Sequence, residues 1–244
     1  MKRKREIMPI IAMSNPKGGA GKSTTALLLA TYLAERGAKV CVLDADPNQP
    51  ILDWKENGNT ASTLEVIGGI KESNLMEHVE RLNHQFVIID LEGTASLLVS
   101  RAIALSDFVI VPLQASAVDV RQAGKAIRTI RDEEKVVQRY DAKRRIPYKI
   151  LLTRTPAPGA PVSSVQRQLE AEITATNIPR FRTTIADRLA YKAVFVERLT
   201  LTELKDRAIK VGNLDAAYQN IHDFATELVE ELQPTTPTEE HRER

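Results

Sequence analysis

The chain has 244 residues, 43% of them hydrophobic, which is enough for one large α/β core, and its formal net charge is only +2. Any surface for a polyanion must therefore be a local patch, because the chain as a whole carries no excess of positive charge. A single cysteine, Cys41, excludes a disulfide framework and suits a reducing cytosol, and no apolar run reaches the roughly 18 residues that span a bilayer.

In chain order, the start MKRKREIMPIIAMSN gives a basic arm over residues 1–8 and then an apolar run. No small-residue cleavage site separates the two, so the run reads as a first strand and a signal peptide is not expected. Strands are expected at 10–14, 39–44, 64–68, 86–90, 108–113 and 148–153, with a weaker one in FRTTI at 181–185. Cys41, inside KVCVLD, reads as a buried thiol. Between the strands lie helical patterns: STTALLLATYLAERG, closed by Gly37, then ESNLMEHVERLN, SLLVSRAIALS and VDVRQAGKAIRTIRDEEKVVQRY. SSVQRQLEAEITAT and LDAAYQNIHDFATELVEEL follow. Alternating strand and helix predict a single α/β domain over 9–232, a mostly parallel twisted sheet with helices on both faces. The end QPTTPTEEHRER cannot bury apolar area and reads as a disordered tail over 233–244. TRTPAPGAPVSS, at 153–164, reads as a loop at the C-terminal end of a strand, the edge where open α/β sheets bind ligands.

The chemistry concentrates in NPKGGAGKST, residues 15–24. Gly18, Gly19 and Gly21 let the backbone take positive φ and approach an anion, with Ala20 between them. Ser23 and Thr24 open a helix whose free N–H groups face the same point. Lys22 is then placed to neutralise phosphate oxygens, and the Ser23 hydroxyl to hold Mg²⁺. The spacing departs from G-x-x-x-x-G-K-[ST], because Pro16 stands where the first glycine belongs and an extra lysine, Lys17, follows it.

The pattern K-G-G-x-G-K-[ST] resembles the deviant Walker A motif of the ParA/MinD family of ATPases, a deviant form of the P-loop NTPases. That resemblance implies ATP and Mg²⁺ as cofactors. It also implies a cross-dimer role for Lys17, reaching the nucleotide of a second subunit, so that a homodimer forms with ATP; a solvated surface lysine is the alternative. VCVLDADPNQP resembles the family's first switch, which implies that Asp44 positions the attacking water beside the metal and that Asp46 and Pro47 shape the switch. Asn48 stands where the family commonly has glutamine. FVIIDLEGTAS resembles the Walker B strand and second switch, with Asp90 holding Mg²⁺ through water. VPLQASAVDV is similar to a further family segment, with Ala115 in place of proline. ILLTRTPAP resembles the strand and loop that reach the adenine, which makes Thr153, Arg154 and Pro156 base-pocket candidates. TTIADRLAYKAVFVERLTLTEL resembles the late segment in which a loop covers the base and a helix follows. DADPNQPILDWKENG is also similar to the VirC-type member through its Trp-Lys-x-Asn tract.

Neighbouring families fit less well. One cysteine cannot supply the two per chain of the iron-protein relatives. No N/T-K-x-D guanine motif follows Asp90, and the C-terminal helix carries acidic residues where MinD-type members carry a basic membrane helix. Nonspecific DNA binding by the late segments is implied by the family, and the candidates here are Arg180, Arg182, Arg188, Lys192, Arg198, Lys205, Arg207 and Lys210. QRYDAKRRIPYK is an equally basic competitor. The expected protein is a cytoplasmic, nucleoid-associated ATPase of the ParA type. Its partners would be a second copy, DNA and a stimulating ParB-like protein, with no membrane. A VirC-like accessory ATPase in conjugal transfer and a MinD-type membrane-surface ATPase are the other readings.

Overall fold

The computed structural model describes residues 8–114, 117–175 and 177–233. Apart from Met8 and Gln233, the basic arm and the tail lie outside the described residues, as does Ala115. The chain runs β1 (Ile10–Met13), α1 (Lys22–Glu35), β2 (Val40–Ala45), α2 (Pro50–Glu56), β3 (Glu65–Ile67), α3 (Leu75–Arg81), β4 (Phe86–Leu91) and α4 (Leu97–Leu105). It continues through β5 (Phe108–Gln114), α5 (Ala117–Gln138), β6 (Tyr148–Thr155), α6 (Ser164–Ala175), β7 (Ile185–Ala186), α7 (Leu189–Glu197), α8 (Leu201–Asp206) and α9 (Leu214–Leu232).

All seven strands pair in parallel in the order β3-β2-β4-β1-β5-β6-β7. Parallel strands need helical crossovers that cover both faces, which is why these strands read as unbroken apolar runs. One face packs Leu43, Ile89 and Val111 under α3, α4 and α5. The other packs Ile11, Val42 and Ile110 under α1, α7 and α9. Aromatic rings tie the far end of this second layer together, Phe181 lying 5.9 Å from Phe108 and 5.2 Å from Phe224 between ring centroids. Cys41 is buried as expected.

The expected strand at 181–185 shrinks to Ile185–Ala186, and the reason is where its backbone groups go. The N–H groups of Arg182 and Thr183 donate to the buried Glu227 carboxylate, at 2.8 and 2.9 Å, instead of to β6. Pro179 to Phe181 meet β6 at Ile150, and contact with β6 resumes only at Ile185 to Asp187. Three helices were not marked by periodicity. α2 is seven residues long, and its first turn is capped from another strand by Asp44. α7 is apolar on nearly every side. α8 carries a capping box, Thr200 with Glu203, that was readable in TLTE.

Glu227 is thus the hinge pin between α9 and the chain entering β7. Glu227→Ala leaves the N–H groups of exposed Arg182 and half-buried Thr183 without their acceptor and is expected to cost about 1 to 3 kcal/mol in all, because water reaches part of the exposed segment. Urea denaturation checks this, the midpoint falling while the slope stays unchanged.

Candidate functional site

β1 lies in the middle of the sheet between β4 and β5, so its C-terminal end opens where the strand order diverges, the place where such sheets hold ligands. The chain leaving it is tightly held. The Ser14 N–H donates to Ile110 O at 3.0 Å. Buried Asn15 accepts the Lys17 N–H at 2.9 Å and donates its amide to Pro112 O at 2.6 Å. Gly19 and Gly21 have φ of +76° and +99°, the left-handed values that the glycine pattern predicted, whereas Gly18, expected to share them, does not. The loop carbonyls face side chains on the neighbouring strands: Gln114 donates to Gly19 O at 2.6 Å, and Thr153 to Ala20 O at 2.8 Å. With those carbonyls occupied, the N–H groups of Gly18 to Thr24 and the start of α1 are the loop's offering to an anion.

The charged groups meet behind this loop. Lys22 is 6% exposed and its ammonium lies 3.3 Å from Lys17 O. Burial lowers its pKa, against the pull of Asp90, Asp46 and Glu92. Asp44 and Asp90 are register partners at the ends of β2 and β4, and neither is exposed. They differ in what they touch. Asp44 accepts the N–H groups of Ile51 and Leu52 at 2.8 and 2.9 Å, and burial raises its pKa while those donors pull it down. Asp90 has no hydrogen-bond partner on either oxygen among the described residues. Burial pushes its carboxyl up to about 7; the nearby Ser23 hydroxyl draws it down without closing a full hydrogen bond, and Asp44 drives it further up. A buried, unpartnered carboxylate beside a hydroxyl and an ammonium suits a hard divalent cation, so Ser23 and Asp90 fit Mg²⁺.

Beside the loop is a hollow of about 300 Å³ whose walls include Thr24, Thr153, Arg154, Arg188, Tyr191 and Phe195. Thr153 and Arg154, two of the base-pocket candidates, line this hollow with Gly21, whereas Pro156 lines a different hollow with Arg180 and Arg182.

The eight basic candidates have different partners. Arg188 and Lys192 line the hollow beside the loop, with Lys192 ion-paired to Asp187 at 3.0 Å. Arg182 meets Glu227 and Glu230, Arg198 meets Asp53, and Lys205 meets Asp215. Arg207 donates to Asn59 O at 2.6 Å, while Arg180 and Lys210 are exposed. In the competing cluster, Arg144 is committed to Asp107 at 3.0 Å and to Ser106 O at 2.6 Å.

Sequence reasoning passed over two residues here and gave a third another role. Asn15 anchors the loop, and its place just after an apolar strand was a visible signal. Gly93, in the second switch, packs so closely that a Cβ would stand 3.1 Å from Gly18 N and 3.4 Å from the Lys22 ammonium. Arg188, read from the sequence as a DNA-contact candidate, lines the hollow beside the loop.

The VirC1 protein family model matches residues 8–232. Protein ParA of Rhizobium radiobacter is 31% identical over 227 residues, covering 92% of this chain and 98% of that protein. The chain belongs to the VirC1 family of ParA-type ATPases. Within the wider ParA-type group it is 25% identical over 203 residues to the maintenance of carboxysome distribution protein A of Halothiobacillus neapolitanus, 81% of this chain and 88% of the other. The fold agrees: a putative plasmid partition protein from Borrelia burgdorferi, solved bound to AMPPNP, superposes with a TM-score of 0.66 at 20% identity, covering 92% of this chain and 100% of that one. No helix among the described residues is long and apolar enough to cross a membrane.

Asp90 gives the site a pH signature. Folded, it keeps its proton up to about 7, whereas unfolded it would lose it near an ordinary carboxylate value of about 3.9. The folded state holds the extra proton between those values, so this contribution to stability declines as pH rises through that window. Asp90→Asn removes the effect. In Mg²⁺-free, nucleotide-free buffer the variant is expected to gain about 2 kcal/mol or more over the parent at pH 8 and little near pH 4, read by urea denaturation.

Proposed function

We propose that this chain is a Mg²⁺-dependent ATPase that dimerises on ATP, binds DNA without sequence preference in the cytoplasm, and positions cargo as a ParB-like partner stimulates hydrolysis. The observation that carries the nucleotide reading is buried Asp90, unpartnered on both oxygens, beside Ser23 and Lys22 at the mouth of a glycine loop. Partition or positioning as the purpose is supported by the names of the relatives, Protein ParA and the carboxysome distribution protein.

In this reading Lys17, Gly18, Gly19, Ala20, Gly21, Lys22, Ser23 and Thr24 cradle the triphosphate, and Lys22 neutralises its outer oxygens. Ser23 and Asp90, with Asp44 alongside, hold the metal, which would supply charge neutralisation where the terminal phosphoryl group leaves. Thr153, Arg154 and the hollow's wall receive the adenine, with Pro156 one step further out. Asp44 orients the attacking water through whichever oxygen α2 leaves open, or by giving up the Ile51 and Leu52 N–H groups. Lys17 of each subunit serves the nucleotide of the other.

DNA contact would draw on Arg180, Arg182, Arg188, Lys192, Arg198, Lys205, Arg207 and Lys210. Several hold exposed ion pairs, which are worth about 0 to 1 kcal/mol each and are readily exchanged for phosphate contacts. A second reading, a VirC-like accessory ATPase in conjugal DNA transfer, is favoured by the family model itself. A membrane-surface role is disfavoured because the apolar face of α9, with Ile221, Phe224 and Leu228, is packed into the core.

Lys22→Ala is expected to abolish binding of a fluorescent ATP analogue, and affinity retained within about tenfold, or about 1.4 kcal/mol, refutes the phosphate assignment. Lys17→Ala should keep monomer affinity and lose ATP-dependent dimers in size-exclusion light scattering; dimers that persist refute the cross-subunit role. DNA affinity should require ATP, ignore sequence and fall with salt at a log–log slope of about −0.9 for each phosphate contact. Reversing Arg188 with Lys192, compared with reversing Lys205 with Lys210, identifies which surface meets DNA, and equal binding without nucleotide refutes coupling of hydrolysis to release.

A further inference from the structure

At the end of the sheet opposite the phosphate loop, three side chains of different chemistry converge. Cys41 and Glu65 are register partners on β2 and β3 and point to the same face. His84 is brought beside them where the chain enters β4, because Gln85 and Phe86 donate to Lys39 O while the Lys39 N–H donates to the Gln85 side chain. One ligand atom from each of the three lies within 4.8 Å of the others, and this is the one such group among the described residues.

Their hydrogen bonding leaves capacity to spare. The His84 Nε2 meets Glu65 at 2.9 Å, but the His84 Nδ1 is buried and has no partner. A buried ring nitrogen without a hydrogen bond calls for an explanation. The Cys41 thiol is fully buried against the apolar residues of its face, while Glu65 is exposed and opens the group to solvent. Buried sulfur on one side, imidazole between and exposed carboxylate on the other form an inward-facing donor set with an entry path.

We propose that Cys41, His84 and Glu65 bind one borderline-soft divalent cation of the zinc class, with water as the fourth ligand. Thiolate, imidazole and carboxylate are the three donors that such cations take, at about 2.0 to 2.3 Å, and a set without thiolate would suit harder ions. Ligand atoms up to 4.8 Å apart need to close by about 1 Å around the ion, a movement within reach of the exposed Glu65 and of the loop that bears His84. Binding breaks the Cys41 S–H bond, releases that proton to water and forms the sulfur–metal bond. It also replaces the direct His84–Glu65 contact. The ion would link β2, β3 and β4 at their N-terminal ends. β2 and β4 are also the strands that end in Asp44 and Asp90.

Cobalt(II) tests this on the full-length protein, stripped of metal and of any affinity tag, because cobalt substitutes for zinc and reports its ligands. Cys41 is the sole cysteine of the chain, so a cobalt–thiolate charge-transfer band can arise from no other residue. Saturating Mg²⁺ keeps cobalt from the phosphate loop, whose oxygen donors would in any case give no such band. The wild type is expected to bind one equivalent with that band, and zinc to displace it. Cys41→Ala should lose the band entirely, and His84→Gln should weaken binding at least tenfold, both while retaining ATP-analogue affinity as proof of folding. No band in the wild type, or undiminished one-to-one zinc binding by calorimetry in both variants, overturns the site. Should Cys41→Ala fail to fold, His84→Gln and Glu65→Gln decide: unchanged cobalt affinity in both refutes the assignment.

Discussion

Two carboxylates stand side by side at the ends of neighbouring strands, with no exposed surface between them. Parallel pairing brings strands within about 4.8 Å, so the register of Asp44 against Asp90 sets two acidic groups closer than water would allow without screening them. The fold resolves this in two ways. Asp44 is given two backbone donors by α2, and Asp90 is left with burial and the nearness of Lys22 and Ser23. The sheet order, the glycine loop and the placement of Lys22 all bring positive charge to that spot, and the orphaned oxygens of Asp90 leave room there for a cation.

Asp44 also has a structural obligation that ties the site to distant parts. By capping α2 it fixes a helix whose Trp54 donates its indole N–H to Val194 O in α7 at 2.8 Å and whose Asp53 pairs with Arg198 at 3.0 Å. α7 in turn supplies Tyr191 and Phe195 to the hollow beside the loop. A carboxylate beside the glycine loop and a helix lining the hollow next to it are thus joined through one short helix. Disturbing either end must be felt at the other, because Gly58 packs against both Trp54 O and Arg198 and leaves little slack.

Much of this was legible in the sequence, and the boundary of legibility has physical causes. β1, β2, β4, β5 and β6 are long apolar runs covered on both faces, so composition alone located them. The glycine loop with Lys22, Ser23 and Asp90 carries its chemistry in residue type and spacing. β7 and α2 were obscured because their backbone partners come from far away, Glu227 for one and Asp44 for the other, and local pattern does not report long-range capping. The basic residues after 180 were countable but not placeable. Whether Arg188 lines a hollow or Lys205 faces outward depends on helix phase in a segment whose apolar residues have little periodicity.

α1 is buried around most of its circumference, from Lys22 through Ala34, wedged between the sheet and α9. An element gripped on all sides has no soft direction. The helix that opens at the glycine loop is therefore an anvil rather than a lever: an anion arriving at its N-terminus would find a fixed surface. Any adjustment to it would fall to the segments around the helix. Gly93 packs directly on that loop, and the first turn of α2 is fastened to Asp44 beside it. A rigid centre with close neighbours of this kind would pass on to them any displacement at the loop.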